Sequence, residues 1–352
     1  MGELDFSGSR ILVVGGAGFV GSNLVRQLLP LGPREIIVVD NLLSADESNI
    51  STDPRVRFVY GSINENRILS ALPGDLDFAF HLACYHGNQS SIADPLADHE
   101  NNTLTSLKLF DRLKDIRHLK KVVYAAAACA VAEKTFDAPQ ATTEDQPITL
   151  YHDSPYSISK IVGELYGNYF FQRCKLPFVK ARFSNVYGPG EILGAGRWRG
   201  TVHTVWRNVT PSFIWRSLQG EALPLDNGGN ASRDFIYVED IAEGLMACAL
   251  RGAPGEVYNL ATGRETSIIE LATVINRLTG NRTPMDLRPA RDWDRSGKRY
   301  ASTQKAEREL GFRAQTPIDT GLARTVDWTR ANEALIRTCI GRHEKMMSQS
   351  AP

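Results

Sequence analysis

The sequence predicts an α/β fold, a Rossmann-type doubly wound, mostly parallel sheet with helices on both faces, joined to a smaller, mixed α/β C-terminal lobe. Three observations lead there. A short apolar run, Arg10-Ile11-Leu12-Val13-Val14, passes directly into a glycine-rich turn, Gly15 to Gly21, and then into an amphipathic stretch. Strand-like and helix-like patterns then alternate, as they do where parallel strands are joined by crossover helices. After about residue 186 the alternation weakens and Gly, Pro, Trp and Arg become frequent, which suits a lobe of loops and short elements.

Each element has its own signal. The helix following the glycine turn is expected from Ser22 to Leu31, and Glu35-Ile36-Ile37-Val38-Val39-Asp40 reads as a second strand ending on an acid. Val56–Tyr60 and Leu76–Ala83 supply further strands, and helical patterns cover about 101–116 and 156–173. Between those helices, His118 to Val123 leads into Tyr124-Ala125-Ala126-Ala127-Ala128-Cys129-Ala130, a strand leaving a sheet among alanines and one thiol. No internal repeat or low-complexity segment interrupts the pattern.

Composition narrows the class. The 352 residues suffice for one large or two moderate domains. They carry 40 basic and 40 acidic side chains, which gives no electrostatic reason to expect nucleic acid or an anionic membrane as partner. No apolar run approaches the roughly 18 residues of a bilayer span. The opening MGELDFSGSR lacks a signal-peptide core. Cys84, Cys129, Cys174, Cys248 and Cys339 form neither a CxxC pair nor a disulfide-like framework. No cluster has metal-ligand spacing, so no metal is expected. A cytoplasmic setting is the expectation.

Two motifs carry chemistry. Gly15, Gly18 and Gly21 stand where a strand becomes a helix, so backbone N–H groups and the positive helix end can approach a pyrophosphate. Asp40, at the end of the second strand, is placed to accept from both ribose hydroxyls and to repel a 2′-phosphate, favouring NAD over NADP. In Tyr156-Ser157-Ile158-Ser159-Lys160 the phenol and ammonium share a helix face. The cation, joined by a positive nicotinamide, is expected to bring the phenol toward neutrality so that it can take a proton from an alcohol. Tyr-x-x-x-Lys alone is common in ordinary helices. Downstream of a dinucleotide fold it is specific.

With these motifs the chain resembles the extended short-chain dehydrogenase/reductase family, in its NAD-dependent nucleotide-sugar epimerase/dehydratase branch, over nearly its whole length. His81-Leu82-Ala83, Asn101-Asn102-Thr103, Asn185-Val186-Tyr187-Gly188-Pro189, Ser232-Arg233-Asp234-Phe235, Tyr258 to Gly263 and Arg288-Pro289 extend the likeness. The resemblance implies cofactor contacts at Gly15, Gly18, Phe19, Val20, Gly21, Asp40 and Asn41. It adds Ser62, Ile63, Leu82, Ala83, Asn102, Tyr156 and Lys160 to that set. For the substrate it implies Asn185, Arg233 and Arg288, with Asn208 and Val209. His86 is added because it directly follows a cofactor strand, and Arg197 and Arg199 because arginines in the Gly-rich, aromatic stretch between Pro189 and Pro211 suit phosphate or carboxylate. It also implies a homodimer, and a division into an NAD-binding body (1–185, with about 234–262 returning), a nucleotide-sugar-binding lobe (186–233 and 263–345) and a tail (346–352).

Two departures stand out. Gly61-Ser62-Ile63 has serine where the family has an aspartate for the adenine amine, which implies a weaker adenine contact. Ala126, Ala127 and Ala128 stand where family members carry serines, one of which bonds the reacting hydroxyl. The same strand end lacks the acidic pair that a 4,6-dehydratase uses, so dehydration is disfavoured. Cys129 has two readings: a small apolar filler among alanines, or an acid/base thiol. The second draws on a likeness of Ala127-Ala128-Cys129 to the Ser-Ala-Cys segment of GDP-mannose 3,5-epimerases. Those pair the cysteine with a lysine, whereas the loop here, Gly190 to Arg197, has glycine there.

The expected function is NAD-dependent epimerisation of a nucleotide sugar, at C4 of a UDP-hexose or a uronic or amino derivative, through a 4-keto intermediate. Tyr156 removes the hydroxyl proton and Lys160 tunes the phenol and holds the nicotinamide ribose. The alternatives are a C3/C5 epimerase or dehydratase using Cys129, and, in another class, a non-catalytic NAD-sensing regulator.

Overall fold

The computed structural model describes residues 4–132, 135–196, 208–290 and 297–349. In chain order its main elements are β1 (Arg10–Val14), α1 (Phe19–Leu28), β2 (Glu35–Asp40), β3 (Val56–Tyr60) and β4 (Phe78–His81). There follow α2 (Thr105–Leu113), β5 (Lys121–Ala127), α3 (Pro155–Cys174), β6 (Phe178–Phe183) and α4 (Val209–Leu218). The chain then forms α5 (Val238–Arg251), β7 (Val257–Leu260), α6 (Ile268–Thr279) and α7 (Ile318–Ala331).

Seven parallel strands stand in the order β7-β6-β5-β4-β1-β2-β3. Side chains alternate across the sheet. Ile11, Val13, Ile36, Val38, Phe78 and Phe80 pack on one face with Leu24 and Leu28 of α1 and Ile241 and Leu245 of α5. Leu12, Val14, Ile37, Val39 and Tyr124 pack on the other with Leu109 and Phe110 of α2 and Phe170 of α3. Burial on both faces is why these strands read as continuous apolar runs. Strand order reverses between β1 and β4, and the crevice beyond their carboxyl ends is the natural ligand position in such sheets.

Boundaries moved for local reasons. The helix expected from Ser22 begins at Phe19, because Gly18 in extended conformation is its N-cap, and Leu29–Leu31 tightens into a 3₁₀ turn around Pro30. The helix expected over 101–116 starts with a π turn at His99–Leu104 and continues as α2 to Leu113. The smaller lobe is built from two-stranded pairs, Asn185–Tyr187 with Phe235–Tyr237, Pro224–Asp226 with Asp286–Arg288, and Ser232–Arg233 with Thr266–Ser267. Its core gathers Phe213, Leu225, Phe235, Leu271, Ile275, Leu322 and Val326 from these pairs and from α4, α6 and α7. No helix among the described residues is long and apolar enough to cross a membrane.

Candidate active site

One cleft of about 880 Å³ opens at the carboxyl ends of the strands and runs from the glycine turn into the smaller lobe. Its first end is made of backbone. Gly15 has φ +85°, and a Cβ there would lie 2.5 Å from the Ala83 nitrogen. A Cβ on Gly21 would lie 2.2 Å from the Gly15 carbonyl oxygen, so only glycine lets α1 begin this close to β1. Asp40 closes the turn: its Oδ2 accepts from the Ala17 N–H at 3.1 Å and its Oδ1 from the Leu42 N–H at 2.9 Å. Phe19, Val20, Asn41, Ile63, Leu82 and Ala83 line the same end. A cradle that a Cβ would fill, beside a carboxylate and a helix start, fits a dinucleotide. Ser62 also lines it, although its hydroxyl accepts from the Asn64 N–H at 3.1 Å.

Tyr156 and Lys160 share one stripe of α3 with Gly163 and Gly167. A Cβ on Gly163 would meet the Tyr124 hydroxyl at 2.1 Å, and one on Gly167 would meet the Phe178 ring at 1.9 Å. These glycines let the helix lie directly on the sheet and deliver both side chains to the cleft. Lys160 Nζ donates to the Ala125 carbonyl at 2.9 Å and lies 5.8 Å from the Tyr156 ring centroid. Burial holds Tyr156 well above the usual tyrosine range, and Cys84, Cys129, Tyr124 and Asp98 add in the same direction.

Asn102, which the resemblance gave as a structural or a cofactor-contacting asparagine, lies buried behind the cleft. Its Oδ1 accepts from the Tyr85 N–H at 2.7 Å, and its Nδ2 donates to Asp98 Oδ1 at 2.7 Å and to Ser159 Oγ at 3.2 Å. It ties the loop after β4 to α3. Alongside it, the Ser106 hydroxyl donates to the Asn102 carbonyl at 2.6 Å, so His81 Nε2, 3.0 Å from that oxygen, is the donor. Burial, then Lys160, pushes the His81 pKa down to about 3, which keeps it neutral.

The strand end is as the sequence reads: Ala126, Ala127 and Ala128 line the cleft, and Cys129 follows on a 3₁₀ turn, packed with Cys84 around Tyr156. No disulfide joins any of the five cysteines. At the far end His86, Asn185, Asn208, Val209 and Arg233 line the cleft, and Arg233 donates to the Ser232 and Gly297 carbonyls, both at 2.6 Å. Arg288 is not among the lining residues; its guanidinium is paired with Asp286 at 2.6 Å. Arg197 and Arg199 lie outside the described residues. Sequence reasoning missed Cys84, Glu191 and Arg299, all of which line the cleft. Cys84 directly follows the His81-Leu82-Ala83 strand end and Glu191 the Gly188-Pro189 turn, signals that adjacency alone offered. Among the described residues no His, Cys, Asp or Glu cluster is placed to hold a metal.

This fold and cleft define a nucleotide-cofactor enzyme, and its family profile is clear. The chain belongs to the NAD dependent epimerase/dehydratase family, which matches residues 11–261. It is similar to the Bordetella bronchiseptica enzyme WbmF, solved in complex with NAD+ and UDP, at 56% identity and TM-score 0.89 over 98% of this chain and 99% of that one. A UDP-glucose 4-epimerase with UDP-glucose from Thermotoga maritima is 28% identical, TM-score 0.82, over 92% and 99%. A putative UDP-glucose 4-epimerase of Methanocaldococcus jannaschii is 29% identical over 92% of this chain and 99% of its own. The family, the Rossmann-type fold and the NAD cofactor agree with the sequence reading. So does the activity that the membership carries, NAD-dependent epimerisation of a nucleotide sugar.

Proposed function

We propose that the protein inverts C4 of a UDP-hexose, or of its uronic or amino derivative, through a 4-keto intermediate. One observation carries this: a continuous cleft joins the glycine turn and Asp40 to Tyr156 and Lys160, and then to Arg233 and Asn185 in the lobe. That extent suits a dinucleotide and a nucleotide sugar end to end. Bound NAD supplies hydride acceptance and return, with a ring charge that favours the phenolate. Tyr156 removes the proton of the C4 hydroxyl and gives it back, while Lys160 is assigned the nicotinamide ribose. The glycine turn, Asp40 and Asn41 are assigned the adenosine side, with Ser62, Ile63, Leu82 and Ala83. His86, Asn185, Asn208, Val209 and Arg233 are assigned the substrate. The seven-stranded body thus serves the cofactor and the smaller lobe the nucleotide sugar. UDP is favoured because the 56%-identical WbmF was solved with it.

A C3/C5 epimerase is the second reading, supported by Cys129 and Cys84 flanking Tyr156. Dehydration lacks its acidic pair at Ala126–Cys129, and an intact Tyr156–Lys160 pair speaks against a non-catalytic sensor. Turnover of a nucleotide-sugar panel in deuterium oxide decides among them. C4 inversion by hydride return leaves no deuterium on carbon, and label at C5 or C3 overturns it. We assign a homodimer, supported by the apolar stripe Ile158, Leu165 and Tyr169 left exposed on α3 beside exposed Ile92 and Leu96; a cytoplasmic setting rests on the sequence expectation alone. A monomeric mass in light scattering would refute the dimer.

A further inference from the structure

The hydroxyl that β5 lacks has a structural counterpart elsewhere in the cleft. The His86 ring meets the Tyr156 ring edge to face, with centroids 5.6 Å apart and planes at 84°. His86 Nε2 lies 3.1 Å from Asn208 Oδ1, and Asn208 Nδ2 donates to Glu191 Oε1 at 2.8 Å. With its amide N–H turned to the carboxylate, Asn208 presents its carbonyl to the histidine, so Nε2 carries the proton. Glu191 is only 6% exposed.

Two features mark this chain of contacts as built. Asn208 is the N-cap residue of α4, yet its side chain makes no cap hydrogen bond, so the helix start forgoes the stabilisation asparagine usually provides there. The turn before Glu191 is tied to the cofactor side, where Asn23 Nδ2 donates to the Pro189 carbonyl at 3.0 Å and Asn49 Nδ2 to the Gly190 carbonyl at 3.3 Å. Three segments distant in sequence are therefore linked in one chain of contacts that ends on the Tyr156 ring.

We propose that Glu191, Asn208 and His86 form a hydrogen-bonded strut that sets the orientation of Tyr156 toward the reacting hydroxyl, replacing the polar group missing from the strand end. His86 is in this sense a positioning residue. The inference rests on the epimerase reading for its kinetic consequence, though not for its structural one.

The test compares His86→Phe, His86→Gln and Asn208→Leu in the purified, NAD-containing enzyme. Phenylalanine keeps the ring and removes the donor, glutamine restores an N–H near Nε2, and leucine cuts the strut without touching Tyr156. With any nucleotide sugar the wild type converts, His86→Phe and Asn208→Leu lower kcat by roughly tenfold to a hundredfold. Bound NAD stays near wild type, kcat falls by more than KM rises, and His86→Gln recovers most of the rate. Independently of turnover, the tyrosine ¹³Cζ resonance that disappears in Tyr156→Phe shifts in Asn208→Leu and returns toward wild type in His86→Gln. An unmoved resonance in Asn208→Leu overturns the strut. So does unchanged kcat in His86→Phe, a change confined to KM, or loss of NAD in every variant. A resonance that moves as expected in Asn208→Leu, in a protein whose wild type converts no nucleotide sugar, sinks the epimerase reading and leaves the strut standing.

Discussion

The two ends of the cleft are made of different material. At the cofactor end the lining groups are mostly backbone, from Gly15 to Gly21, joined one strand on by the Asp40 carboxylate. At the sugar end they are side chains from the loop after β4, the end of β5, the 188–191 turn and the start of α4. Backbone recognition demands glycine at defined spacings, because any Cβ occupies the ligand's or the helix's place. Side-chain recognition tolerates many residue types, provided the fold brings them together. Rigidity therefore belongs to the first end and specificity to the second.

The comparison is broken most severely at Gly21. Gly21→Ala puts a Cβ 2.2 Å from the Gly15 oxygen, and is expected to cost about 1–3 kcal/mol or more in stability and to yield protein without bound NAD. Absorbance and mass analysis of the denatured supernatant check this. At the meeting of the two ends, Tyr156→Phe should lower turnover by roughly 10²–10⁴-fold with NAD content unchanged. Normal turnover in that variant would remove the proposed chemistry.

His81, beneath the same junction, makes a prediction in pH. Its folded pKa of about 3 lies below the ordinary 6.5, so between those values the unfolded chain binds one proton more. The stability it contributes is complete above about pH 6.5 and is lost as pH falls, by up to ~1.4 kcal/mol per pH unit. Urea unfolding from pH 7 to 5 should show that slope in wild type and a shallower one in His81→Gln, itself less stable at pH 7. Asp98, Glu144 and Asp234, which burial raises, act with the opposite sign in both proteins and cancel in the difference.

Smaller effects sharpen the cofactor end. Asp40→Asn keeps the side-chain size but removes the charge that accepts from Ala17 and Leu42, so NAD affinity should fall by about 1.5–3 kcal/mol, and less for NADP. Equal losses for both cofactors in calorimetry would contradict the role of Asp40 in selecting NAD. Ser62→Asp can still accept from Asn64 and offers a second oxygen to the adenine amine. A gain of about 0.5–1.5 kcal/mol in NAD binding is expected, and none would show that the amine lies elsewhere.

Legibility follows the same division. The strands, the glycine turn, Asp40 and the Tyr156–Lys160 pair were all readable, since each is a local pattern with one physical explanation. Asn102 was readable as a position but not as a role: only the packed structure shows its amide held by Tyr85, Asp98 and Ser159. Arg288 could not be distinguished from Arg299 in the sequence; the structure has Arg299 lining the cleft and Arg288 paired with Asp286. Glu191 carried only its closeness to the Gly188-Pro189 turn as a signal; its bond to Asn208 appears only in the packed structure.

The amino-acid order by itself determined the parallel sheet, the dinucleotide turn and the i, i+4 phenol–ammonium pair, because apolar periodicity, glycine's missing Cβ and helix pitch act over a few residues. Tertiary structure alone decided which polar side chains converge on Tyr156. It also decided that burial, rather than Lys160, governs that phenol in the chain itself, because burial and the placement of charges are properties of packed segments far apart in sequence.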